Sequence, residues 1–350
     1  MIEFLKRRWF LLALVIVIST GQLLGSQASS FVQTTLLPPF GGAAKSLLVG
    51  LVLLCMSVTL DGRRFRDALL RPLPVILAIA INIVMIPLGA RLLMPLQLAP
   101  DFAIGLLIAA AVPCTLAAAS VWTRRAGGND AVSLLATMLT NGLCFLYTPF
   151  WLKLFSDSSA EIDPWELVRK LLLTAMLPIA LGQMIRLRRP WAVTADRAKV
   201  PLGVVAQAVI LVIVFVASCE AGLRFGPHAT TSTPPPGWLA VAVVVMSAMS
   251  LHLAAMIIAV LVGRILNIHR ENLIAVAFAA SQKTLPIGVL IATDPHTFGT
   301  AYPWAVYPML IFHAGQLFID TTIADRVRSR WDATADSSSN SSTAPEVSPG

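Results

Sequence analysis

The sequence predicts an all-α polytopic membrane protein: ten transmembrane helices forming two inverted five-helix repeats, with helices 4 and 9 broken. Three observations carry this reading: an extreme apolar composition, ten separate apolar runs, and a proline in the middle of both the fourth and the ninth run. Hydrophobic residues make up 57% of the 350 positions and charged residues only 13%, about half the charged share of a soluble domain. A bilayer-spanning helix takes roughly 20 apolar residues, so this composition supplies on the order of ten. The runs are continuous rather than alternating, which excludes an outer-membrane barrel. The composition likewise excludes a soluble domain and a disordered chain.

In chain order the runs are Phe10–Gly25, Ser46–Leu60, Pro72–Met94, Phe102–Trp122 and Ala131–Phe155, then Trp165–Ile185, Val200–Cys219, Trp238–Ile265, Asn272–Thr293 and Trp304–Thr321. Lys6-Arg7-Arg8 ahead of the first run and Ser26-Gln27-Ala28 behind it imitate a secretory signal. The run is nevertheless read as a span, because its loss would break the pairing of the halves. The division is residues 1–156 for the first repeat, 157–330 for the second and 331–350 for a disordered cytoplasmic tail. That tail, from Asp332 (DATADSSSNSSTAPEVSPG), is rich in Ser and Thr and poor in bulky apolar residues.

The net charge of +8 reflects topology. With the N-terminus inside, nineteen of the 26 Lys and Arg fall on inner segments, including Arg63, Arg64, Arg66 and Arg71. Six fall on outer segments or edges: Lys45, Arg91, Lys153, Arg169, Lys170 and Arg224. The positive-inside rule then gives both termini to the cytoplasm, in what is expected to be a bacterial inner membrane. Nucleic acid is not needed as a partner; the expected partners are a small organic solute and the lipid bilayer, with the oligomeric state open. The four cysteines lie inside apolar runs without metal-like or redox spacing, so no metal site is expected.

The repeat rests on a self-match. Ala110–Leu116 falls on Ala279–Leu285 with four of seven positions identical, and each segment lies in the fourth run of its half. An odd number of spans per half inverts the second half, as in inverted-repeat transporters. Pro113 and Pro286 should break their helices, and irregular backbone at this depth is tolerated where it is buried in protein or lines a watery cavity.

Lys283 is the one cation belonging to neither loop set. A central lysine costs about 2.5–3.5 kcal/mol on insertion scales, so it is either a structural ammonium on free carbonyls of the break or a cation of the transport site. Gln282, Thr284 and Thr115 flank the two breaks. In the fifth run, Ser133, Thr137, Thr140, Asn141, Cys144 and Thr148 draw a polar stripe down one helical face. It fits either helix packing or the lining of a site. His252 and His313 are intramembrane, and hydrogen-bonded packing is the simpler reading for both. Glu220 and Asp320, near span ends, are expected to reach the interface. No G-x-S-x-G, H-E-x-x-H or Walker loop is present, so an enzyme is not indicated and no catalytic residue is assigned.

Pro113-Cys114-Thr115, Val121–Ala131 (VWTRRAGGNDA) and Ser281–Val289 (SQKTLPIGV) resemble the bile acid:sodium symporter superfamily, in the branch of sodium/bile acid cotransporter 7, over about residues 5–328. The resemblance implies a panel (helices 1, 2, 6, 7) and a core (3–5, 8–10), with helices 4 and 9 crossing at their unwound centres. It also implies ion binding through helices 4, 5 and 9, with Ser133 and Thr137 at two ligand positions. Two features depart from the sodium-coupled pattern. Alanines (Ala118, Ala119) replace a Ser-Asn pair, and the acidic residue expected near Ser281–Gln282 is absent while Lys283 stands close by. An ammonium there repels sodium. The expectation is therefore a secondary transporter of a small organic, anionic solute, with sodium coupling doubtful, the coupling ion left between Na+ and H+, and no other cofactor. The set carried forward is Lys283, Gln282, Thr284, Thr115, Ser133, Thr137 and Asn141, with Pro113 and Pro286 as breaks. Two alternatives stand: arsenite or metalloid efflux through Cys114, and a non-transporting regulator of membrane ion homeostasis.

Overall fold

A computed structural model describes residues 2–61, 68, 70, 72–156, 163–225, 235–294, 296–299 and 301–341. Every regular element among them is helical. Helix α1 covers Ile2–Gln27 and turns by 104° into a short segment, Ser29–Leu36. Then follow α2 (Gly42–Val58), α3 (Leu73–Leu96), α4 (Pro100–Ala111), α5 (Ala118–Arg125) and α6 (Asp130–Phe155). The second half contains α7 (Pro164–Leu187), α8 (Arg189–Arg197), α9 (Lys199–Gly222), α10 (Trp238–Ile265), α11 (Arg270–Ser281), α12 (Leu285–Ala292) and α13 (Val306–Ser341).

Six helical segments are long and apolar enough to cross a membrane: α3, α6, α7, α9, α10 and the interrupted Arg270–Ala292. The bent pair at the N-terminus makes a seventh if counted as one span. This is fewer than the ten apolar runs, because the second and fourth runs give short helices and the tenth lies in α13, where His313, Gln316 and Asp320 dilute the apolar stretch. The fourth run is divided into α4, of 12 residues, and α5, of 8, and 12 residues rise only about 18 Å against a hydrocarbon core of about 30 Å. The second run forms a 17-residue helix, at the short end of the spanning range.

Two groups of helices are distinguishable. In one, α1 packs on α9, and α2 packs on both α7 and α9. Gly21 and Gly25 meet Ser218 and Gly222 across the α1–α9 contact, and a Cβ added to Gly21 would stand 2.8 Å from the Ser218 Cβ. Small residues four apart let the two backbones approach, the usual device between membrane helices. In the other group, α10, α11 and α13 pack with α3, α4, α5 and α6. Its centre is the Arg270–Ala292 segment, nearly all of whose apolar window is buried.

Helix α13 continues to Ser341, into the tail expected to be disordered. Extending an existing helix fixes one residue per new hydrogen bond, whereas starting one fixes several, so a polar stretch can follow an apolar helix. Residues 342–350, the inner arginines Arg63, Arg64, Arg66 and Arg71, and the start of the second repeat at 157–162 lie outside the described residues.

Candidate functional site

Two interruptions define the site. The first follows Ala111. Val112 is extended (φ −75°, ψ 160°) because the residue before a proline is pushed out of the helical region, so Pro113 ends α4 one residue ahead of itself. The chain re-enters helix at Ala118. The second interruption is Gln282–Thr284. Pro286 follows it in the first turn of α12, where the missing N–H leaves the Gln282 carbonyl, four residues back, without a helical donor. The two breaks touch, the Thr284 N–H donating to the Pro113 carbonyl over 2.8 Å.

A third proline prepares an acceptor. In α3, Ile81–Met85 forms a π turn ahead of Pro87. The Ile86 N–H reaches back to the Ile81 carbonyl, and Pro87 has no N–H to offer. The Asn82 and Ile83 carbonyls are thereby released. Trp151 Nε1 donates to Ile83 over 2.7 Å, and the Asn82 carbonyl receives Lys283.

Lys283 is fully buried. Its Nζ lies 2.7 Å from the Asn82 carbonyl oxygen, 2.9 Å from that of Val112 and 3.1 Å from Asn82 Oδ1. Three oxygens take the three N–H donors of an ammonium. The cation joins the π turn of α3 to the first break. Gln316 of α13 fixes the Lys283 backbone, accepting from its N–H (2.9 Å) and donating to its carbonyl (2.8 Å). Asn82 Nδ2 reaches the carbonyls of Ala279 (3.2 Å), Ala280 (3.0 Å) and Gln282 (3.0 Å), orphans of the α11 terminus.

Gln282 is also buried and bridges outward. Its Nε2 donates to Asp320 Oδ2 over 2.6 Å, and its Oε1 accepts a short hydrogen bond from the Thr115 hydroxyl. Asp320 was expected at the interface; it is fully buried in α13, with its other oxygen 3.0 Å from His252 Nε2. A carboxylate can stay at that depth only if its oxygens are matched by donors, and a match with residues far away in sequence cannot be read from position in a run. Sequence reasoning misplaced Asp320 and missed Asn82 and Gln316, whereas His252 is the buried, hydrogen-bonded residue it was read to be. Asn82 carried a usable signal, standing among isoleucines in the third run.

All six residues of the fifth-run stripe are buried, so one face of α6 is polar and inward. Ser133 Oγ donates to the Asp130 carbonyl and Thr137 Oγ to that of Ser133. Asn141 Nδ2 donates to the Cys114 carbonyl over 2.7 Å. Asn141 Oδ1 is buried without a hydrogen-bond partner.

A cavity of about 260 Å3 lies against the crossing, between α1, α2 and α9 on one side and the breaks on the other. Its wall is largely apolar, including Trp9, Met56 and Trp122, with Thr115, Thr284, Gln207 and His313 as polar points. A second cavity, about 410 Å3, gathers cations of the outer set. There Lys45 pairs with Glu220 and Lys170 with Asp294, at 2.6 and 2.7 Å, and Arg224 also lines the wall.

The description of the SBF-like CPA transporter family matches residues 8–329, and the chain belongs to that family. It is 26% identical to an uncharacterized protein of Pseudomonas aeruginosa over 74% of this chain and 77% of that one. It is 27% identical to YfeH of Escherichia coli K12, a symporter candidate by name, over 67% and 68%. Against sodium/bile acid cotransporter 7-B of Xenopus laevis the identity is 23%, and the match covers 64% of each chain, under two thirds of the relative's length.

Proposed function

From that membership, we propose that the protein is a secondary active transporter of a small organic, anionic solute, bound at the crossing of the two breaks. The single observation that carries this is the contact of two interrupted helices beside a 260 Å3 cavity, with the Thr284 N–H bonded to the Pro113 carbonyl and both Thr115 and Thr284 in the wall. Irregular backbone inside a membrane is tolerated where it is buried in protein or lines a cavity, and here Thr115 and Thr284 of the two breaks reach the cavity wall. The volume is near the lower edge of small-molecule pockets, about 300–1,000 Å3.

The ten apolar runs are read as ten spans in two inverted five-span halves, with both termini cytoplasmic and the cavity open to the inside. Helices α1, α2, α7 and α9 form the panel against which the remainder rocks. In this reading Lys283 is a tethered cation: its ammonium takes carbonyl and amide oxygens as a coordinated metal ion would, and it leaves the protein a fixed positive charge near the solute. That supports an anionic solute and weighs against sodium at the same oxygens, because two cations would compete for one set of acceptors. Ser133, Thr137 and Asn141 lie behind the cavity wall and are assigned to the site as supports of the first break from the α6 side, Asn141 through the Cys114 carbonyl.

Counterflow in proteoliposomes tests the reading. Vesicles preloaded with unlabelled taurocholate or benzenesulfonate should take up the labelled compound transiently, and Lys283→Ala should abolish the uptake. Absence of counterflow for both sulfonates contradicts the organic-anion reading, and undiminished counterflow in Lys283→Ala contradicts the role of the lysine.

A further inference from the structure

Four buried ionisable groups surround the second break: Lys283, His252, Asp320 and His313, the last with Nδ1 3.4 Å from the Lys283 carbonyl oxygen. The hydrogen bonds determine how many protons His252 and Asp320 hold. His252 Nδ1 lies 3.1 Å from the Ser281 carbonyl oxygen. That oxygen can only accept, so Nδ1 carries a hydrogen. His252 Nε2 lies 3.0 Å from Asp320 Oδ1. With Nδ1 already protonated, a second proton must stand between Nε2 and Oδ1, on the ring or on the carboxyl group; otherwise two lone pairs would face each other across a buried contact. The pair is therefore proton-loaded and has no net charge. The three oxygens around Lys283 Nζ fix an ammonium on the residue that follows Gln282; His313 Nδ1 faces the donor Gln316 Nε2 over 3.0 Å and its ring is neutral, so the crossing carries one uncompensated positive charge.

Loss of the proton leaves a carboxylate against a neutral ring. The remaining ring hydrogen then belongs on Nε2, facing Asp320, and Nδ1 can no longer donate to Ser281, the last residue of α11 before the second break. Deprotonation thus neutralises the crossing and releases one tie on the broken helix. The same carboxylate reaches the cavity wall through Gln282 and Thr115.

We propose that the buried His252–Asp320 pair is the coupling site of this transporter, binding one proton for each monoanionic solute that enters the cavity. The inference rests on the organic-anion reading above. The loaded pair and Lys283 together present one positive charge, which the solute neutralises; the empty pair and Lys283 cancel, and the site then neither needs nor attracts an anion. One proton and one monoanion move together, so the cycle transfers no net charge.

The other titratable groups on the elements packed against the pair are His313, at the same depth and bonded to Gln316, and groups toward the helix ends. These are Arg91 on α3, Asp101 on α4, which accepts from the Trp304 N–H, Arg124 and Arg125 on α5, Arg264 on α10, Arg270 and Glu271 on α11, and Tyr307, Asp325, Arg326, Arg328 and Arg330 on α13. Arg125 and Asp325 neutralise each other over 2.6 Å. None of these hydrogen-bonds to His252 or Asp320.

The test uses sulfonates, which stay ionised and so do not follow a pH gradient through lipid as weak acids do. In proteoliposomes with the exterior one pH unit more acidic, labelled taurocholate or benzenesulfonate should accumulate toward about tenfold, the equivalent of one proton per solute. A valinomycin-imposed potential should leave that ratio unaltered. His252→Gln and Asp320→Asn should bring it to about one. Equilibration without accumulation in the wild type, or full accumulation in His252→Gln, overturns the proposal while leaving transport intact; failure of both sulfonates to move at all overturns the transport reading instead. A substrate-free measurement decides in that event, and also if a variant does not fold. In 15N-histidine-labelled wild-type protein, the His252 ring should change as pH rises through roughly pH 5–8, either losing a proton or moving its hydrogen from Nδ1 to Nε2. A ring whose state is constant across that range overturns the coupling site.

Discussion

The two breaks are alike in position but opposite in chemistry. The first, Val112–Ala117, presents backbone: the carbonyls of Val112, Pro113 and Cys114 point at partners from elsewhere, namely Lys283 Nζ, the Thr284 N–H and Asn141 Nδ2. The second, Gln282–Thr284, presents side chains, which travel outward to Asn82, Asp320 and Thr115. The first interruption is held mainly through its backbone carbonyls and the second mainly through its side chains, Lys283 Nζ and Gln282 Nε2 donating while Gln282 Oε1 accepts from Thr115. An unwound segment in a membrane needs every freed carbonyl matched, and here a proline-terminated helix is matched by a lysine-bearing one. The self-match of Ala110–Leu116 with Ala279–Leu285 fails at Val112, Pro113 and Cys114, where this division of labour requires different residues.

Removing the shared donor should have the largest effect. Lys283→Met leaves the Val112 carbonyl, the Asn82 carbonyl and Asn82 Oδ1 facing apolar surface, a loss of about 1–3 kcal/mol for each unmatched acceptor. The thermal midpoint in detergent measures it, and an unaltered midpoint would mean the first break is held without the lysine. Next is Asn141→Leu, which strips the donor from the Cys114 carbonyl and should cost about 1–3 kcal/mol. If it costs as much as Lys283→Met, the division between the breaks is less sharp than the geometry implies. The smallest effect belongs outside both breaks. Gly127 ends α5 with φ 79°, a conformation that penalises a Cβ by about 1 kcal/mol. Gly127→Ala should lower the midpoint slightly and leave solute uptake per folded molecule as it was.

Much of this architecture was legible because hydrophobic continuity and proline act locally. Pro113 determines the extended Val112, and the four-residue spacing of the fifth-run stripe determines a buried face. The singular burial of Lys283 followed from its position alone. What was not legible depends on long-range pairing. Asp320 reads as a residue near a run's end, and only the arrival of His252 and Gln282 from two other helices makes its burial tolerable. Asn82 becomes an acceptor through Pro87, five residues on, by way of a π turn that has no hydrophobic period of its own. Helix α13 outruns the apolar residues that start it, so composition misjudges its end.

The central claim is that the crossing faces a cavity open to solute, and cysteine accessibility addresses it directly. The four native thiols are buried, whereas Ala118, at the exit of the first break, is partly exposed in the cavity wall. In Ala118→Cys, labelling by a membrane-impermeant thiol reagent applied to the face carrying the Arg124–Arg125 loop is expected to be rapid, and slowed by taurocholate or benzenesulfonate. A cysteine there that stays inert from both faces, or whose labelling neither sulfonate affects, would contradict the account.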